Sequence, residues 1–514
     1  MSIKPILRTH TLIAGTLFLT AAGLISRILG FFYRIYLSRT IGAEGLGIYQ
    51  MVFPIYGICF SLCAGSIQTA ISRFTAANRE KAKQTVFCGF LISFSLSLVL
   101  AFLIRSQTDF LAVHILMEPR CAPLLPALAL AIPFTSLHAC VCGYFYGRNQ
   151  VQFPAFSQLF EQCVRIFTVF LVVDIYQTAR HEVTAVVAVW GLLAGEALSA
   201  LFVLLSFFIV SGSMPSAFLK DSLFGSFRMT AGPLMALAAP LMSNRLIMNL
   251  LQSAEAIMIP NKLEEFGLTG SQAVSIYGIL TGMAMPFIMF PSAIVNSLAV
   301  VLLPTVAKQQ SLGNKSGIQK NLLLSVRYSL YMGILCIGIF TVFGHDLGMN
   351  VFQNHDAGSF ITILAWLCPF LYLATTMGSV LNGLGKTTIT FKNNCISLLI
   401  RLSFVFFGIP RYGIHACLWG MLASEVLLVL LHGYALQGQV GFSIDAWDML
   451  VKPAFCLMMA LGLQRLLPKQ LTMFPQLPNF FWTVLQIGVV SVCYGLILLL
   501  MQLKKSDQNN SFHT

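Results

Sequence analysis

Apolar runs of about 18 residues or more recur from one end of the chain to the other, parted by short polar stretches. A helix of that length crosses a hydrocarbon core of ~30 Å. The runs are continuously apolar and do not alternate residue by residue, which speaks against a β-barrel. Hydropathy predicts fourteen helical spans, near 12–37, 47–73, 84–104, 123–143, 155–176, 185–210, 230–257, 273–303, 321–343, 358–381, 392–409, 413–434, 451–466 and 480–503. The expected fold class is an all-α polytopic membrane protein. Pro233, Pro240, Pro260, Pro286, Pro291 and Pro304 are expected to kink or break the seventh and eighth spans. Lys4 and Arg8 precede the first run as in a signal peptide, but the run continues past Leu24 without a small-residue cleavage site. It reads as an uncleaved first span.

The two halves echo one another. Trp190-Gly191-Leu192-Leu193-Ala194-Gly195-Glu196-Ala197-Leu198 recurs as Trp419-Gly420-Met421-Leu422-Ala423-Ser424-Glu425-Val426-Leu427. Upstream of each lies a Gly-basic turn and then an arginine-bearing span: Gly147-Arg148 with Arg165, and Gly385-Lys386 with Arg401. The spacing implies a duplicated unit of six spans. An even number keeps both copies in the same orientation, so the repeats are expected to be parallel, with a site between them. The expected organisation is an N-terminal lobe over 1–210, a cytoplasmic linker over 211–229 and a C-terminal lobe over 230–434. Two additional helices follow within 451–503, then a cytoplasmic tail over 504–514.

Composition agrees with a membrane protein. Hydrophobic residues make up 57% of the chain and charged ones 10%, where a soluble domain carries about 25% charged. The net charge of +13 would suggest nucleic acid in a soluble protein. Here it is ascribed to cytoplasmic loops, and no nucleic-acid partner is expected. With the N-terminus inside, sixteen Lys and Arg fall in inner loops and tails, among them Arg79, Lys81, Lys83, Lys308 and Lys386. Seven fall outside: Arg39, Arg105, Arg120, Arg180, Lys262, Arg411 and Lys469. Both termini are therefore expected in the cytoplasm, with the chain in the cytoplasmic membrane. The thirteen cysteines show no CxxC pair and lie mostly in apolar runs, as core filler. The outer loops are short, the longest near 105–122, and leave no room for a catalytic domain. No Ser-His-Asp set or metal-spaced His/Cys cluster appears, so neither an enzyme, a cofactor nor a metal site is expected. Gly383-Leu384-Gly385-Lys386-Thr387-Thr388 lacks the first glycine of a nucleotide-binding loop and has no strand before it, so it reads as a turn.

Charge inside the spans is the candidate chemistry. Ser26-Arg27-Ile28-Leu29-Gly30-Phe31-Phe32-Tyr33-Arg34-Ile35-Tyr36-Leu37-Ser38-Arg39 carries three arginines. Arg27 and Arg34 are seven residues apart, close to two turns, so both point one way roughly 10 Å apart. Span 1 has no carboxylate, and Arg245 lies near the middle of span 7, its expected repeat partner. Glu255 is out of phase with Arg245 and a weak partner for it. An arginine in a span needs either a protein carboxylate or an anionic ligand. Guanidinium forks suit pyrophosphate, so Arg27, Arg34 and Arg245 are read as a diphosphate site, with pairing to acids of other spans as the alternative. Glu161 and Arg165 have the i,i+4 spacing of an internal ion pair. Glu196 and Glu425 are either interhelical hydrogen-bond partners or coupling-ion ligands. Glu161, Arg165, Glu196, Glu255, Arg401 and Glu425 together form a secondary set for the cavity or for coupling. Arg73, Arg327 and Arg465 sit near span ends and are expected to snorkel.

These stretches resemble the multidrug/oligosaccharidyl-lipid/polysaccharide exporter superfamily, and within it the stage V sporulation protein B-like polysaccharide biosynthesis group. The likeness runs through Gly23–Gly47, Gly143-Tyr144-Phe145-Tyr146-Gly147 to Arg165, and Tyr277-Gly278 to Leu303-Pro304. The superfamily's lipid II flippases have a similar Ser-Arg-x-Leu-Gly run and Arg-x-x-Gly-Ala, matched in place by Ser26–Gly30 and Arg39–Ala43. Arg34 falls one position later than their second arginine, so the match in place covers Arg27 and Arg39. The resemblance implies fourteen spans in two six-helix lobes with a V-shaped central cavity. It also implies transport of an undecaprenyl-pyrophosphate-linked saccharide such as a peptidoglycan precursor, for spore cortex or envelope synthesis. The expected partners are that lipid-linked saccharide and membrane lipids, with H+, Na+ or the membrane potential driving a monomer. The alternative is a cation-coupled multidrug or organic-cation antiporter of the same superfamily.

Overall fold

In the computed structural model, which describes residues 4–211, 223–443, 445–465 and 479–511, every regular element among the described residues is helical. Residues 212–222 of the expected linker, with Lys220, and residues 512–514 of the tail lie outside the described residues, as does Lys469. Helix α1 runs Lys4–Met51 and is broken at Gly42, whose φ of 71° and ψ of −177° belong to a backbone region that only glycine adopts at low cost. That break separates the first expected span from the second. The second continues through α2 (Phe53–Phe60), a π-helical turn at Ser61–Gly65 and α3 (Ser66–Ala77). Then come α4 (Ala82–Ser106), α5 (Leu125–Gly147), α6 (Gln152–Thr178), α7 (Val186–Ser211), α8 (Leu223–Glu265) and α9 (Gly270–Gly278). The chain continues with α10 (Ser292–Ser311), α11 (Lys315–Leu347), α12 (His355–Leu364), α13 (Cys368–Gly383) and α14 (Thr387–Ser403). It closes with α15 (Ile414–Gln439), α16 (Lys452–Arg465) and α17 (Asn479–Ser511).

Twelve helical stretches among the described residues are long and apolar enough to cross a membrane, where hydropathy predicts fourteen spans. The difference is local. The first two spans run together as Phe18–Ala77, and the eighth divides into Gly270–Met289 and Ser292–Ser311 at Pro291. Helix α6 carries Glu161, Arg165 and Asp174, and α16 has 14 residues; neither is among the twelve. Gly383–Thr388 forms the turn between α13 and α14 with no strand before it.

The chain divides into two compact units, Met1–Gly278 and Ile279–Thr514. In the first, α5 packs on α3, α4 and α7, while α6 packs on α1 and α7. The core there joins Ile67 and Ile71 of α3, Val86 of α4, Val141 and Phe145 of α5 and Val203 of α7. Gly143 and Gly147 let α5 approach the α3 backbone: a Cβ would sit 2.7 Å from the Gln68 carbonyl at the first and 2.6 Å from that of Ser72 at the second. Small residues four apart make this close approach possible between membrane helices. Between α4 and α5, Arg120 grips Glu118 with Nε on Oε1 and Nη2 on Oε2, both at 2.7 Å, and pairs with Glu44 of α1.

The second unit is built around α11 and α13, with α10, α12, α15, α16 and α17 packed on them. Its core includes Val306, Leu322, Val326, Met377, Val380 and Leu436. Arg327 does not simply snorkel, as its place near a span end suggests: it pairs with Asp448 at 2.9 Å, and Lys452 lies 3.6 Å from the same carboxylate. Sequence spacing hides this pairing because the partners are far apart along the chain.

Candidate functional site

All three arginines read as a diphosphate site lie in the first unit. Arg27 is exposed on α1, within the apolar stretch Phe18–Ala77, and among the described residues it has no hydrogen-bond or ion-pair partner. Arg34, two turns on, is half-buried and partnered; Tyr33, Tyr49 and Arg165 lie within electrostatic reach of it. Tyr33 and Tyr49 are each only 6% exposed, and the Tyr33 hydroxyl is buried without a partner. Arg245 is exposed on α8 and donates from Nη2 to Thr69 Oγ1 at 3.3 Å. One turn further, Asn249 Nδ2 donates to the Gly57 carbonyl at 3.1 Å and to Ser61 Oγ. These bonds dock α8 on the π-helical turn of the second span. A side chain at Gly65 would run into the Arg245 guanidinium, so the glycine sets where that charge rests.

A second cluster joins α5, α6 and α7. Glu161 pairs with Arg165, as their i,i+4 spacing predicts. Gly191 and Gly195 of the repeated motif bring α7 close to α6, and a Cβ there would sit 3.1 Å from the Arg165 and Glu161 carbonyls respectively. That approach places Glu196 beside Glu161. The Tyr56 hydroxyl donates to Glu196 Oε1 at 2.8 Å and lies 3.1 Å from Thr135 Oγ1. Glu196 is 6% exposed. Donor atoms of His138, Glu161 and Glu196 all lie within 4.8 Å of one another, and His138 Nε2 is 2.5 Å from Ser157 Oγ. Two carboxylates this close repel unless a cation or a proton lies between them. Arg165 supplies one positive charge, and one imidazole with two carboxylates is a donor set for a small cation or a shared proton. His138 and Tyr56 are the residues that spacing misses. Each comes from a different helix, and neither carries a local signal.

Glu255 is buried and partnered in the first unit. In the second, Arg401 and Glu425 are half-buried and partnered, and Arg401 Nε is buried without an acceptor. They lie on α14 and α15, which pack together as α6 and α7 do, with Gly420 set against Phe404.

Known proteins share this arrangement of helices. Residues 12–310 match the family described as polysaccharide biosynthesis protein. The chain is 28% identical to stage V sporulation protein B of Bacillus subtilis (strain 168) over 443 residues, 85% of each chain. Among solved structures it resembles the lipid II flippase MurJ in an inward closed conformation, with a TM-score of 0.72 at 14% identity over 95% of this chain and 99% of that one. It also resembles an inward-facing multidrug resistance MATE family transporter of the MOP superfamily, with a TM-score of 0.64 at 12% identity over 80% and 95% of the two chains. The helices thus share the fold of both transporters.

Proposed function

We propose, from the premise that the chain belongs to the polysaccharide biosynthesis protein family of the MOP superfamily, that it is a flippase for an undecaprenyl-pyrophosphate-linked saccharide. The observation that carries this reading is Arg27, a guanidinium exposed on a membrane helix with no partner among the described residues. A charge in that setting calls for an anionic ligand. Arg34 and Arg245 complete the diphosphate contacts, the first beside two tyrosines and the second held on Thr69. The saccharide and its diphosphate enter from the cytoplasmic leaflet while the polyprenyl tail stays in lipid. Alternating access by the lobes 1–210 and 230–434, with both termini cytoplasmic, belongs to the same proposal. His138, Glu161 and Glu196 hold the coupling H+ or Na+, and Arg165 balances them. A peptidoglycan precursor used in spore cortex or envelope synthesis is the proposed cargo.

A rival reading, a cation-coupled organic-cation antiporter, draws on one observation: the most deeply buried charges of the first unit include Glu196 and Glu255. Sealed proteoliposomes separate the two. The flippase reading expects a fluorescent undecaprenyl-pyrophosphate saccharide to become accessible on the far leaflet, with no exchange of an organic cation against H+ or Na+. Cation exchange without lipid translocation would overturn it.

A further inference from the structure

Outside the arginines and the buried acids, one concave surface combines charge with an apolar shaft. After α14 the chain makes a π-helical turn at Phe404–Gly408 and a short helix at Ile409–Tyr412, and then reverses at Gly413 into α15. The reversal depends on Gly413, whose φ of 61° and ψ of −151° suit glycine. A groove of about 600 Å³ opens between the two helices, within the range of small-molecule sites. Its floor is tight: a Cβ at Gly408 would sit 2.8 Å from that of Ala416.

The lining is graded along the helix axes. Arg411, Tyr412 and His415 stand at the ends of the apolar stretches Thr387–Tyr412 and Ile414–Gln439, the part of a membrane helix expected at the headgroup layer. Phe404, Phe407 and Trp419 line the groove deeper in, by one or two helical turns, roughly 5–10 Å along the axis. Arg411 and His415 are exposed and have no hydrogen-bond or ion-pair partner among the described residues, and no carboxylate lines the groove. A single aromatic at this depth would be an interface anchor. A concave apolar shaft closed at its watery end by two unpartnered nitrogen bases is complementary to an amphiphile with one negative charge.

We propose that this groove is a binding site for one anionic glycerophospholipid, its phosphodiester between Arg411 and His415 and an acyl chain along Phe404, Phe407 and Trp419. One guanidinium and one imidazole match a monoanionic phosphodiester; a diphosphate headgroup would bring more charge than they balance. The groove lies wholly in the second unit, whereas Arg27, Arg34 and Arg245 belong to the first. The lipid site therefore stands or falls separately from the transport function.

Quenching of Trp419 by brominated lipid tests this. The full chain is placed in nanodiscs with brominated phosphatidylglycerol or brominated phosphatidylcholine at equal mole fraction. The Trp419 signal is taken as the difference between wild type and Trp419→Phe, since the chain has five tryptophans. Wild type is expected to show about a fivefold preference for phosphatidylglycerol, the effect of one basic side chain near a membrane surface. Arg411→Gln is expected to bring the two lipids to equality with folding unchanged by gel filtration. Equal quenching in wild type would mean annular lipid only and would overturn the assignment. So would a preference that survives Arg411→Gln, or displacement of the brominated lipid by equimolar undecaprenyl pyrophosphate, which would make the groove belong to a substrate path. The wild-type comparison does not use Arg411→Gln, so a misfolded Arg411→Gln protein does not shield the assignment.

Discussion

Arg27 and Arg165 sit in neighbouring helices and face opposite fates. Arg165 is tied to Glu161, with side chains 17% and 18% exposed, and it also balances Glu196. Removing one partner of a buried pair strands the other, which costs about 3–5 kcal/mol, whereas removing both costs far less. Arg165→Met should therefore lower the thermal unfolding midpoint of the purified protein sharply, and Arg165→Met with Glu161→Met should recover much of the loss. Equal stability of the single and double variants would contradict a buried, charge-compensating pair. This pair was legible in the sequence because i,i+4 spacing on one helix is a local property. His138 and Tyr56 were not, because a cluster assembled from three or more helices leaves no trace in the spacing along any one of them. Arg327 shows the same limit: its place near a span end suggests snorkelling, and Asp448 lies 121 positions away.

At the scale of elements, the hydropathy pattern carries the membrane helices but not the breaks within them. The π-helical turns at Ser61–Gly65 and Phe404–Gly408 keep the chain helical and apolar, so no change in periodicity marks them. The short connection from α4 to α5 is fixed by charge instead. Burial of Glu118 pushes its carboxyl up, but the Arg120 side chain and backbone N–H outweigh this and hold it below its ordinary value. A carboxyl with a lowered folded-state pKa stabilises above the unfolded value of about 4.3, and that contribution is lost as pH falls through the folded value. A spin label at exposed Val113 should stay ordered from neutral pH to about pH 4.3 and become mobile only as pH falls further, through the lowered value of Glu118. Glu118→Gln should be mobile across the range. A label that loosens at near-neutral pH, or an unaltered profile in Glu118→Gln, would show that the grip lies elsewhere.

For the molecule as a whole, the family was legible from Ser26–Gly30, Arg39–Ala43 and the Gly143–Gly147 region, and the structure supplies reasons for two of these. Gly42 breaks α1, and Gly143 with Gly147 seats α5 on α3. Such constraints hold residues in place through backbone geometry, so they survive as short motifs. Cargo is less legible, because a cationic stripe defines a charge and not a saccharide. Contact between Arg27 and the diphosphate is what the proposed function turns on. The Arg27 side chain is exposed and has no partner among the described residues, so its role is separable from folding: substitution there should change stability by less than about 0.5 kcal/mol. The most direct measurement is the rate of translocation of a fluorescent undecaprenyl-pyrophosphate saccharide by Arg27→Ala in sealed proteoliposomes, beside wild type at matched incorporation. At least a tenfold loss is expected, the equivalent of about 1.4 kcal/mol, with the unfolding midpoint unchanged. Translocation at the wild-type rate would contradict it and remove Arg27 from the site.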